Sequence, residues 1–220
     1  MDGSSGAPAP RYRQAGPRQV AGSLDTVAEI NQQCLDYLAG LGARGAGPFA
    51  GQEAAWAALS GTARARLAAS PYLLVDAGFG DEACWRALVE RNGEIVPAPR
   101  SAAFFTGAEA SDFVRRVFML GWHLAHANRQ VARVVLGMSP AVAGLFGQLK
   151  LRDLDWLAQH APDLVRLRWE HQPRVWQRLL RAAGHEDGEQ LTHVSLRGLQ
   201  LMAADALASL RRPATAGMTT

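Results

Sequence analysis

The chain has two cysteines, Cys34 and Cys84, in 220 residues. Each stands alone on a helical apolar pattern, which excludes a CxxC zinc knuckle and leaves no disulfide framework. Both thiols are expected to be buried. No run of about 18 uncharged apolar residues occurs, and the start, MDGSSGAPAPRYRQAGPRQ, holds no apolar stretch that could act as a signal peptide. No membrane segment is expected, and the expected compartment is the cytoplasm. Strand patterns are nearly missing too. Tyr72-Leu73-Leu74-Val75 is a short apolar run without a partner run, so it reads as extended or helical core. Catalytic signatures such as HExxH, GxSxG and GxxxxGK[ST] are absent. The glycine-rich stretch Ala43 to Gly51 lacks a preceding strand and a lysine. His123 and His126 lie three apart, yet no third ligand sits at a telling spacing. No enzyme, metal or cofactor is expected, and no internal repeat is evident.

What is present is helical. Val27, Ile30, Cys34, Leu35, Leu38 and Leu41 recur at spacings of three and four, which predicts an amphipathic helix that Gly40 and Gly42 help to end. Short helices are predicted near 54–59 and 63–69, and one capped by Asp81 carries Cys84, Trp85, Leu88 and Val89. Phe113, Val117, Phe118, Met119, Leu120 and Leu124 nearly encircle a further helix, which is expected to be buried. Shorter helices follow near 128–136, 140–148, 151–160 and 173–183, then a last one from Gln190 to Leu210. The expected fold is all-α: a helical bundle with a helix-turn-helix-like hairpin in the C-terminal half and a separate N-terminal helical domain. The expected boundaries are a disordered basic tail (1–20), an acidic helical domain (21–96), a proline-containing linker (97–107), a basic helical domain (108–212) and a disordered tail (213–220).

Charge is unevenly spread. Residues 24–96 carry nine acids against five arginines, whereas residues 128–182 carry nine bases against four acids. The second region therefore suits a polyanion or an acidic partner. Its candidate phosphate contacts are Arg129, Arg133, Lys150, Arg152, Arg166 and Arg168. Arg166, Arg168, Trp169, Arg174, Trp176, Arg178 and Arg181 interleave cations with indoles, a mixture that serves base stacking, ordinary packing or a protein interface. Asp153 and Asp155 sit at a helix start, where capping and the helix dipole account for them without a catalytic role.

The hairpin is the most informative segment. Gly137 suits the left-handed position after a helix, Ser139 suits the next N-cap, and Pro140 suits the first helical position. A DNA-reading helix needs polar side chains near its N-terminus. Pro140 to Gln148 offers almost none, so any DNA contact falls to the arginines around it. Ala132, Leu136-Gly137-Met138-Ser139, Leu149, Leu151, Leu157-Ala158, Leu164 and Arg168-Trp169 give residues 117–169 a pattern that resembles FlhD, a subunit of the bacterial flagellar transcriptional activator. The resemblance implies a non-enzymatic, all-helical subunit that dimerises and contacts the DNA phosphate backbone, as a homo-dimer or within a hetero-oligomer with another regulatory subunit. The alternative reading is a helical adaptor or chaperone-like module whose basic face docks an acidic protein.

Overall fold

The apolar spacing at the start of the chain does produce a helix, and a longer one than the spacing alone requires. In the computed structural model, which describes residues 17–43, 53–90, 104–105, 108–185 and 188–211, α1 runs from Pro17 to Ala43. It starts inside the expected basic tail, with a proline in its first turn, where a missing N–H costs nothing. It also continues through Gly40 and Gly42. Val27, Ile30, Cys34, Leu35 and Leu38 face inward.

Asn31 is buried on that same face. Its amide donates to the Ala68 and Tyr72 carbonyls (3.0 and 2.9 Å) and its Oδ1 accepts from the Leu74 N–H (2.8 Å). One side chain thus satisfies a helix end and the backbone that leaves it, as burial demands. That helix is α3 (Gly61–Ala68), capped by Ser60 and preceded by the short α2 (Glu53–Ala57). The Tyr72–Val75 run leads into a strand, β1 (Val75–Asp76), and it does have a partner. β2 (Arg166–Leu167) pairs with it antiparallel, Val75 opposite Leu167 and Asp76 opposite Arg166. Asp81 caps α4 (Glu82–Glu90) as its position predicted.

Most of the expected linker lies outside the described residues. Phe105, at its far end, is buried with its ring against Tyr37 and Phe113. Next, α5 (Ala108–Ala127) is amphipathic rather than wrapped: Phe113, Val114, Val117, Phe118, Leu120 and Leu124 are buried, while Arg115, Arg116, Met119, His123 and His126 face solvent. After it come α6 (Arg129–Leu136), α7 (Pro140–Phe146), α8 (Leu151–His160), a short 3₁₀ turn (Pro162–Leu164), α9 (Pro173–Gly184) and α10 (Gly188–Arg211). The architecture among the described residues is thus ten α-helices around a two-residue ladder.

A single hydrophobic cluster extends from Val27 through Trp85, Phe118 and Phe146 to Met202. The two expected domains therefore share a core. The physical reason is that α1 and α5 pack on each other while α4 packs on α7, so the apolar faces of the two halves cover one another. α10 closes the body over Tyr72, whose phenol burial pushes up to about 12. At Gly198 an added Cβ would overlap the Tyr72 hydroxyl, whereas at Gly22 it would meet nothing. Gly198→Ala should therefore destabilise the protein by about 1–3 kcal/mol through overpacking. Gly22→Ala, in an open helical position, should stabilise it by about 0.5–1 kcal/mol. Urea unfolding midpoints of the two variants check this, and equal midpoints would remove the close α10 contact.

Candidate nucleic-acid interface

Local capping ends α6 and starts α7 at the residues that predict it. The Asn128 side chain accepts from the N–H groups of Gln130 and Val131 to start α6, and Gly137 ends that helix at φ 69°. Ser139 Oγ then accepts from the Val142 N–H (3.1 Å) to start α7, with Pro140 in its first turn. The turn between them faces the rest of the protein. The Ser139 N–H donates to the Phe79 carbonyl, and the Val135 carbonyl accepts from the Leu73 N–H, both at 3.0 Å. On α7, Val142, Ala143 and Phe146 are buried. Its remaining side chains bring no polar group that could read a base edge.

The six predicted phosphate contacts separate into two groups. Arg129 and Arg133 are exposed one turn apart on α6, and the Arg129 guanidinium lies beside Gly147 at the end of α7. Lys150 and Arg152 are exposed at the start of α8, where the Asp153 carboxylate accepts from the Lys150 N–H (2.7 Å) as a cap. These four lie on α6 and at the start of α8, with α7 between them. Arg166 is instead largely covered and pairs with Glu170.

Arg168 departs furthest from its expected role, with its side chain only 8% exposed. Its Nε donates to the Leu73 carbonyl (2.9 Å), and its Nη2 donates to the carbonyls of Val75 (3.2 Å) and Leu136 (3.0 Å). The nearest carboxylate, of Asp76, is 3.9 Å away. A guanidinium committed to three backbone carbonyls is not offered to a phosphate. Asp205, on α10, also feels this charge. Its carboxyl is raised above its ordinary value by burial and by Asp76, against the opposing pull of Arg168.

The indoles do not stack on bases either. Trp176 is fully buried against Trp56, and Trp169 is buried edge-on to Tyr72. The interleaved patch thus resolves into core indoles and the outward arginines Arg174, Arg178 and Arg181. His123 and His126 are exposed, and the His126 ring packs on Trp122. Among the described residues no group of three His, Cys, Asp or Glu could hold a metal ion, and no helix is long and apolar enough to cross a membrane. Cys34 is buried, and desolvation pushes its thiol well above the ordinary range. Asp155 is bound to Arg115.

No protein family matches the chain, and no characterised protein or solved structure is significantly similar to it.

Arg168 generates a sharp prediction. Arg168→Met removes the donor from three buried carbonyls, which should cost about 3–5 kcal/mol, the scale seen when one partner of a buried charged network is deleted. Arg133→Ala, on the open surface, should stay within about 0.5 kcal/mol. Chemical denaturation of both variants checks the contrast. An Arg168→Met protein as stable as its parent would show the carbonyl contacts to be unimportant.

Proposed function

We propose that the chain is a DNA-binding subunit of a transcription regulator that acts in an oligomer or with a partner subunit. The observation that carries this reading is the exposure of Arg129 and Arg133 on α6 and of Lys150 and Arg152 at the start of α8. Among the described residues, Arg133 and Lys150 enter no ion pair. The resemblance of residues 117–169 to FlhD supports the same reading, since that family shares DNA contact between subunits. With an apolar α7 and an inward-facing turn, contact is to phosphates, and sequence preference comes from a partner or from DNA shape.

A second reading is favoured by two side chains. Val134 (56% exposed) stands beside Arg133, and Leu151 (54% exposed) stands between Lys150 and Arg152. Apolar groups framed by cations suit an acidic protein partner, as an adaptor would require.

Four phosphate contacts predict that the logarithm of the DNA association constant falls with the logarithm of salt at a slope of about −4. Each neutralised cation should reduce that slope by about one. A titration of the full chain with duplex DNA at several salt concentrations measures it. Absence of binding at low salt, alone and with a co-purifying subunit, would remove the DNA role and leave the adaptor reading.

A further inference from the structure

The described residues contain two versions of one folding unit. Val27, Ile30, Cys34 and Leu35 on α1 and Val117, Leu120, Leu124 and Ala125 on α5 are buried at identical intervals. Leu67-Ala68 on α3 and Leu157-Ala158 on α8 keep the same offset, and α3 packs on α1 as α8 packs on α5. Beyond one inserted residue the match resumes. Gly78 and Trp169 both take positive φ, 65° and 56°. The Trp85 indole donates to the Ala77 carbonyl (3.1 Å) and the Trp176 indole to the Arg168 carbonyl (2.8 Å), each eight residues back. Leu88 on α4 matches Leu179 on α9.

The two units meet around a pseudo-twofold axis through the ladder. Exchanging them turns the Val75–Leu167 pair into the Arg166–Asp76 pair. They also trade aromatic groups: Trp56 of the first lies on Trp176 of the second, and Phe146 of the second lies on Trp85 of the first, with centroids 5.8 and 4.5 Å apart.

The core pattern is kept, although α1 runs unbroken to Ala43 where Asn128 separates α5 from α6, and charge symmetry is broken. At the positions of Arg115, Arg116, Arg129, Arg133, Lys150 and Arg152, the first unit has Asp25, Thr26, Ala39, Ala43, Ser60 and Thr62. All six cations are replaced by neutral or acidic residues, and two of the six, Arg115 and Arg152, are paired with Asp155 and Asp153. We propose that the chain is a fused pseudo-dimer in which only the second unit was given a polyanion surface, so that one chain engages one stretch of nucleic-acid backbone. This rests on the DNA-binding reading above and sharpens it. The interface that would pair two single-unit subunits is consumed within the chain, so its dyad imposes no palindrome on the DNA.

The first unit supplies the replacements: Ser60 and Thr62 stand at the start of α3 as Lys150 and Arg152 stand at the start of α8, and alanine is already carried in the helix at 39 and 43. The full chain carrying Arg129→Ala, Arg133→Ala, Lys150→Ser and Arg152→Thr should keep its thermal midpoint. It should bind a short labelled duplex at low salt at least about tenfold more weakly. Asp25→Asn with Thr26→Ala, in the first unit, should leave binding within twofold of the parent, and the parent should saturate at one duplex per chain. Parent protein that binds no duplex overturns the DNA reading itself. Binding by the parent that the four-residue exchange leaves unchanged, two duplexes per chain, or a collapsed midpoint in the exchanged protein overturns the single-surface proposal alone.

Discussion

A buried guanidinium holds the two halves of this protein in register. Arg168 leaves β2 and donates to carbonyls on the approach to β1, on β1 itself and at the end of α6. Its own N–H donates to the Leu74 carbonyl and its own carbonyl accepts from Trp176. The planar fork of arginine reaches several acceptors at fixed angles, which a lysine could not do. Without that donor, three buried carbonyls at the centre of the body would be left unsatisfied, a cost larger than a two-residue ladder returns. The position of the α6–α7 turn, and with it Arg129 and Arg133, follows from this contact, because Leu136 is one of the three acceptors.

The elements legible in the sequence were those set by local chemistry. Gly137, Ser139 and Pro140 specify the end of one helix and the start of the next, and Asp81 specifies a cap, through bonds that span no more than a turn. The inward face of α1 was legible from its spacing. The ladder was not, since two residues per strand give no period to detect. In the sequence Arg168 has the signature of a surface cation, because its charge is local information while its acceptors lie in distant parts of the chain. Trp169 and Trp176 are ambiguous in sequence for the same reason, since Tyr72 and Trp56, which cover them, are far away along the chain.

The repeat was hidden by a different effect. The two units share burial, positive-φ positions and indole hydrogen bonds, yet few identities: Gly78 matches a tryptophan, Trp56 a phenylalanine, and an inserted residue shifts the alignment midway. Packing constrains volume and polarity more than residue type, so a core can be conserved while its sequence drifts. The surface is freer still. There the units differ in charge: Arg129, Arg133, Lys150 and Arg152 align with Ala39, Ala43, Ser60 and Thr62. Of the six cations expected at a phosphate surface, these four are exposed, whereas Arg166 is partly covered and Arg168 is buried.

Native-state hydrogen exchange on the full chain tests the central claim, that two like units form one cooperative body around the ladder. The amides of Leu73, Ser139 and Arg168 and the indoles of Trp85 and Trp176 all donate across or beside the shared centre. They should exchange only through one global opening, with a common free energy and a common denaturant dependence. Exchange of the Trp85 indole and the Leu73 amide through a separate, lower-energy opening, while Trp176 stays protected, would show two independent domains and contradict it.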